Sequence, residues 1–444
     1  MKKQILILCL AASLSFFSAA QTGARTITID DAVNLALQNN LDIKQSKMDL
    51  ELLAQKNKYS WNSVSPSISA SGGFSGRSSF DDPASTTLSY SLGASVNVNF
   101  TPALRTTMKK ALLDYQAGQA TLETTKRRIE LNVRKNFYYL IYLNGYLEIL
   151  QLSLETAKQT YEANQIKYKQ GRLPELQLLE AQLTYESSIP TLEKQKISYQ
   201  NEIDSFKMLL GFDLDDEILL EGNLDEVVSV TFDDTILQSS LNLIEESPQI
   251  KSLKQQILST ENNIQALKLS AYAPSVSFSV SESTSGSDNE VINVYTGEVT
   301  KKAWTPSSSL SYGVTVRVPL DGYFQWSSGK LNVASSEEAL QKLKMNLEQT
   351  RTKTTLTVKN SYTSILQALS QLELQEKNVE LAQKTYDMKK KAYDVGAVDL
   401  SSLQQTEGKL NSAKSNVQNQ KYTILTSILT LEDTLGLPYG TLGK

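Results

Sequence analysis

Leu88-Ser-Tyr90-Ser-Leu92-Gly-Ala94-Ser-Val96-Asn-Val98-Asn-Phe100 alternates without a break. Its even positions are aliphatic or aromatic, and its odd positions are Ser, Gly or Asn. A period of two is that of a strand, with one residue set on each face. The apolar half of the pattern returns in Leu310-Ser-Tyr312-Gly-Val314-Thr-Val316-Arg-Val318-Pro-Leu320. Val276, Phe278 and Val280 alternate with serines, as Ile68, Ala70 and Phe74 do more weakly. One apolar face backed by a small polar one fits a barrel wall between lipid and water. It also fits a half-buried sheet in a soluble domain.

Working outward, the two patterns belong to a duplication. Ser65-Pro66-Ser67-Ile68-Ser69 matches Ala273-Pro274-Ser275-Val276-Ser277 at an offset of 208. Leu88-Ser-Tyr90 matches Leu310-Ser-Tyr312 at 222. Tyr168-Lys-Gln-Gly171 matches Tyr393-Asp-Val-Gly396 at 225, as Leu210-Gly211 matches Leu435-Gly436. The order is kept, and the large step falls between the paired strands, where the second copy has a longer loop. Each copy reads as helix, strand, strand, long helix, turn, helix. The expected divisions are an export signal at 1–20, a first copy at 21–240 and a second at 241–444. The fold class is α+β and internally duplicated.

The helices follow from what is absent. No proline occurs between Pro102 and Pro174 or between Pro319 and Pro438. Without the strongest helix breaker, residues 103–170 can form one helix of roughly 100 Å. Val358, Tyr362, Ile365, Leu369, Leu372, Val379 and Tyr386 keep a 4-3 spacing, interrupted only by Glu376 and Gln383. That is a coiled-coil seam.

Aromatics flank the strands at their helix-side ends: Tyr59 and Trp61, Tyr272, then Tyr323, Phe324 and Trp326. Trp61, Tyr272, Tyr323 and Trp326 are expected at a membrane interface, where the ring is apolar and the polar atom stays wet. They can equally cap a soluble core.

Composition narrows the function. Lys2 and Lys3, an apolar run from Ile5 to Phe17 and Ser18-Ala19-Ala20 read as a secretory signal. The single cysteine, Cys9, lies inside it, so no thiol chemistry is expected after cleavage. There is no histidine, the commonest general base and metal ligand. No paired-carboxylate, P-loop or GxGxxG motif stands out. No catalytic, cofactor or metal site is expected. The formal net charge is -4 with no basic patch, which argues against nucleic acid. After residue 20 no apolar run approaches the ~20 residues of a membrane helix. Membrane residence would have to come through strands.

Four strands cannot close a barrel, because about eight is the practical minimum. A lone copy would leave backbone groups unpaired in lipid, so oligomerisation is expected. Residues 208–250 hold eleven acidic residues and no Lys or Arg. They read as a solvated belt around the helices.

The chain resembles the TolC family of outer-membrane efflux and secretion ducts. The resemblance rests on Ile27-Thr-Ile-Asp30-Asp-Ala32-Val-Asn-Leu35-Ala36-Leu37-Gln-Asn39-Asn40, the strand entries at Pro66 and Pro274, the glycines 171 and 396 and the two Leu-Gly pairs. It spans the mature chain, and it is carried by the order of the motifs. It implies a homotrimer with a 12-stranded outer-membrane barrel, in contact with lipid, continued into an α-helical periplasmic tunnel. It implies a periplasmic adaptor and an inner-membrane transporter as partners, in an efflux pump or type I secretion system. The helix tips would form a gate, with Tyr393 in the position of a gate-closing tyrosine. Some members carry acids six and nine residues beyond the second tip glycine; Ser402 and Gln405 stand there, with Asp399, Glu175 or Glu180 as substitutes. Gly171, Leu173, Leu178, Gly396, Val398 and Leu403 are the expected docking tips, although the apolar ones can simply pack the hairpins. A self-contained porin and a periplasmic coiled-coil adaptor or structural protein are the alternative readings.

Overall fold

Alternation becomes pairing in the computed structural model, which describes residues 25–78, 86–225, 232, 234–288, 290–292, 295–296, 299–301, 304 and 306–442. The segment read as an export signal lies outside the described residues, as do parts of both strand-connecting loops and of the acidic linker. The first copy comprises β1 (Arg25–Ile27), α1 (Ile29–Asn39), α2 (Leu41–Lys58), β2 (Ser67–Ser78), β3 (Thr86–Phe100), α3 (Leu104–Lys169), α4 (Glu175–Leu210) and β4 (Ile218–Leu220). The second comprises α5 (Asp234–Asn242), α6 (Pro248–Tyr272), β5 (Ser275–Ser287), β6 (Glu290–Ile292), β7 (Val299–Lys301), β8 (Ser307–Arg317), α7 (Ser328–Asp394) and α8 (Leu400–Leu435). The step between the repeat offsets falls where the second copy carries the paired strands β6 and β7. Among the described residues no helix is long and apolar enough to cross a membrane.

Two compact units share the chain, and each draws on both copies. One holds residues 46–122 and 249–353. Its centre is an antiparallel sheet in the order β2-β3-β5-β8. Even residues pair with even throughout: Phe74 with Tyr90, Val98 with Phe278, Val280 with Tyr312. The apolar set therefore shares one face. The odd face is almost wholly Ser, Thr, Gly and Asn, and hydroxyls bridge it at Ser69–Ser95 and Ser75–Ser89 (2.8 Å each) and Ser283–Ser309 (2.9 Å). Glu282, the one acid on the apolar face, pairs with Ala94 and Leu310 just before that face turns to Thr284 and Gly286.

Near the loop end of this sheet, Trp304 stacks on Tyr90 (5.5 Å) and Phe74 (6.1 Å). Gly286 makes room for the Tyr90 ring; a Cβ there would lie 2.5 Å from it. At the helix end, Tyr272 closes α6 and meets Tyr323 edge-on at 5.4 Å, while Phe324 stacks on Trp326 at 5.0 Å. Trp61 sits in the turn before β2, half exposed. Helix packing in this unit is close: a Cβ on Gly118 would come within 2.6 Å of Leu53. The Asn262 amide donates to the Thr106 carbonyl at 2.9 Å.

The other unit holds residues 1–45, 123–248 and 354–444. Here the residues that carried the family resemblance have plain structural roles. Thr28 caps α1 reciprocally with Asp31. Ala32 and Ala36 are fully buried. Asn40 ends α1 and its Nδ2 donates to the Leu209 carbonyl, capping the neighbouring α4. Gly211 and Gly436 both take a left-handed conformation, φ +79° and +74°, which ends α4 and α8. That is why Leu-Gly occurs twice. α4 continues through Pro190.

The acidic linker does more than coat the surface. β4 pairs in parallel with β1. Leu224 joins Leu425 and Leu429 in a buried cluster, and Phe232 and Ile244 are buried. Lys421 binds Asp225 and reaches Glu376 at 3.6 Å, so the Glu376 break in the seam marks a cross-helix ion pair. This Lys421 contact holds the Asp225 carboxyl below its usual range. Elsewhere the seam is as read: Val358, Tyr362, Ile365 and Leu372 are buried, and Leu369, Val379 and Tyr386 half-buried.

Candidate functional site

Both long helices end on the same turn. The Arg172 N–H reaches the Lys167 carbonyl (2.9 Å), and the Ala397 N–H the Ala392 carbonyl (2.8 Å). Gly171 and Gly396 supply the left-handed residue at φ +69° and +79°. The chain reverses into α4 and α8, and the tips become two helical hairpins packed on one another.

Their shared core is Ala181, Tyr393, Leu400 and Leu403, with Tyr161, Tyr386 and Val398 packed against it. Tyr393 is 8 % exposed, and its hydroxyl donates to Asn164 Oδ1 at 2.7 Å. Asn164 is 0 % exposed, so this bond ties α3 to α7 inside the core. Burial pushes the Tyr393 phenol up, against the Asn164 bond. Lys167 lies over its ring at 5.2 Å. The Gln404 amide donates to Thr184 Oγ1 at 2.7 Å, a second polar tie between the hairpins.

The other expected gate residues separate. Ser402 is half-buried and accepts from Lys389 Nζ at 2.7 Å. Gln405 is exposed. Asp399 is the N-cap of α8, its carboxylate accepting the Ser402 N–H at 2.8 Å, so capping accounts for an acid at this position. Glu175 is exposed in the first turn of α4, where a negative charge suits the helix dipole, and Glu180 is half-buried. Among the described residues no group of three or more acids is placed to hold a metal ion.

The expected docking residues also divide. Leu403 is 5 % exposed and belongs to the tip core; Leu173, Leu178 and Val398 are half-buried. More exposed is a second apolar set: Leu176, Leu179 and Leu183 on α4 are 66, 53 and 71 % exposed. Their i, i+3, i+7 spacing puts them on one face. Sequence reading passed over this stripe, and over Asn164. The stripe had a usable signal in its spacing; Asn164 had none, because its partner is 229 residues away.

Glu407 lies deeper in the same hairpin pair. Burial raises its carboxyl above the ordinary value, opposed by Lys390 and by a bond from Ser153. Burial and Glu407 in turn push Tyr386 up to about 12. Because the native state holds the Glu407 proton to higher pH than the unfolded chain does, the contribution of this group to stability falls as pH rises from about 4.5 through its native pKa. Glu407→Gln is therefore expected to raise the thermal midpoint at pH 7, and the gain should vanish near pH 4. Melting curves at the two pH values check both signs.

Comparison with known proteins agrees with this architecture. The family model for outer membrane efflux proteins matches residues 32–211 and 241–437, one segment in each copy. No curated protein matches significantly. Among solved structures, the chain is similar to CusC, studied for folding and transmembrane channel formation: 17 % identity, 92 % of each chain covered, TM-score 0.71. It is similar to the CmeC outer membrane channel of Campylobacter jejuni: 18 % identity, 92 % of this chain and 85 % of that one, TM-score 0.69. It is also similar to VceC of Vibrio cholerae: 14 % identity, 93 % and 96 % covered, TM-score 0.68. With most of its length matched in two consecutive copies, the chain belongs to the outer membrane efflux protein family.

Proposed function

We propose that this outer-membrane efflux protein is a passive exit duct that works as a homotrimer, and that its paired hairpin tips are both gate and docking surface. The observation that carries the reading is the four-stranded sheet: one face apolar, the other hydroxylic, and the outer edges of β2 and β8 unpaired among the described residues. In a hydrocarbon layer such edges have to be closed, and three copies supply the twelve strands of a closed wall. The apolar face then meets lipid, with Trp61, Tyr272, Tyr323 and Trp326 at the periplasmic interface. The hydroxylic face meets water. Energy comes from an inner-membrane transporter, reached through a periplasmic adaptor. The barrel and tunnel are built jointly by the 21–240 and 241–444 copies.

The mass of the purified protein in mild detergent tests the assembly; a monomer would overturn it. For docking, the exposed Leu176, Leu179 and Leu183 stripe fits an apolar helical adaptor tip. Leu176→Asp with Leu179→Asp is expected to weaken adaptor capture at least about tenfold while the trimer persists, because the side chains carry the contact and not the hairpin core. Undiminished capture would remove the stripe from the docking surface.

A further inference from the structure

The hydroxylic face of the sheet is as informative in its charges as in its serines. Its residues are the odd-numbered ones: Ser67 to Arg77 of β2, Thr87 to Asn99 of β3, Ser275 to Ser287 of β5 and Ser307 to Arg317 of β8. All seven odd positions of β5 are serine. Across the four strands this face carries two ionisable residues, Arg77 and Arg317, both exposed. The strands' only carboxylate, Glu282, lies on the opposite face and cannot neutralise either from across the sheet. The arginines occupy opposite ends. Arg77 is one residue short of the loop end of β2, and Arg317 is the last residue of β8 at the helix end.

We propose that Arg77 and Arg317 make the barrel lumen selective for anions, so that the duct favours carboxylate- or phosphate-bearing solutes over cations. The inference rests on the trimeric duct reading, which turns the hydroxylic face inward and makes each arginine a ring of three. A ring of like charge raises the local concentration of its counter-ion and repels its own sign. The serine and glycine wall between the rings adds hydrogen-bonding capacity without charge, so it discriminates little. The field of each ring reaches about 8 Å at physiological ionic strength and further in dilute salt, so the preference should sharpen as salt is lowered.

The test uses the full-length channel, purified and inserted in planar bilayers, with the reversal potential read across a KCl gradient. The wild type should show a chloride-to-potassium permeability ratio that falls by roughly twofold or more in Arg77→Ser/Arg317→Ser. Arg77→Lys/Arg317→Lys should keep the wild-type ratio, and Arg77→Glu/Arg317→Glu should push it below that of the serine variant. The glutamate variant carries the test if the serine variant forms no channels. Conducting variants with an unchanged ratio would overturn the proposal and leave the duct reading intact. A trimer that never conducts would overturn the duct reading, and the proposal with it.

Discussion

Tyr393→Phe is expected to raise the resting conductance of the channel by roughly fivefold to a hundredfold. The range follows from the ~1–3 kcal/mol cost of leaving a buried polar group unpaired. Phenylalanine keeps the ring, its place in the core and its position beneath Lys167. It removes only the hydroxyl that donates to Asn164 Oδ1 at 2.7 Å. Asn164 is 0 % exposed and its Nδ2 has no hydrogen-bond partner among the described residues, where Tyr393 is its tie across the hairpins. Without it, the packed arrangement of the two tips loses its advantage over an opened one, in which the Asn164 amide is hydrated. Single-channel recording measures the change. Asn164→Ala should act in the same direction, and the double variant should add little, since both remove one bond. Unchanged conductance in Tyr393→Phe would take this tyrosine out of the gate.

The second large effect is on stability and lies at the other end of α8. Glu432→Ala should cost about 3 kcal/mol locally, more than a surface substitution, because it strands several donors at once. Glu432 is 0 % exposed. Its carboxylate accepts the Gly440 N–H at 2.9 Å and the Leu442 N–H at 2.8 Å, folding the C-terminal turn back onto the helix. Arg127 completes the arrangement by donating to the Leu437 carbonyl at 2.9 Å and to that of Gly436 at 3.2 Å, with its guanidinium over the Tyr439 ring. The Tyr439 hydroxyl lies 2.7 Å from the Asp433 carboxylate; burial and this bond hold it far above the ordinary phenol range. Amide exchange at Gly440 and Leu442 should accelerate by about a hundredfold in Glu432→Ala, as 3 kcal/mol requires, and by less in Glu432→Gln, which keeps one acceptor. Slow exchange in the alanine variant would show that the turn holds without the carboxylate.

These two sites show where sequence reading was strong and where it was blind. Leu88 to Phe100 announced both the strand and its two faces, because the period of two is a local property of the chain. The two tip glycines and the two Leu-Gly pairs announced helix ends, since a left-handed residue is needed there whatever the surroundings. The seam from Val358 to Tyr386 was visible by spacing, and its break at Glu376 proved to be a pairing with Lys421. Other assignments needed distances. Asp399, a candidate gate acid by position, also caps α8. Leu403, a docking candidate that can equally pack the hairpin, lies in the tip core. In each case the residue type suits both roles, and the structural one is visible only in the neighbours. The acidic linker read as a belt because charge dominates its composition, yet Leu224, Phe232 and Ile244 anchor it.

The sequence by itself determined the duplicated order of helix and strand, the two-faced sheet and the long uninterrupted helices. Each of these is set by periodicity or by the absence of a breaker within a few residues. The tertiary structure alone decided which side chains meet across that order, Tyr393 with Asn164, Lys389 with Ser402 and Glu432 with the C-terminal turn, and which stay largely exposed, as Leu176, Leu179 and Leu183 do. Such contacts depend on how the helices and turns pack, whether their residues are 229 apart, as in Tyr393–Asn164, or 13 apart, as in Lys389–Ser402, and composition carries no trace of them.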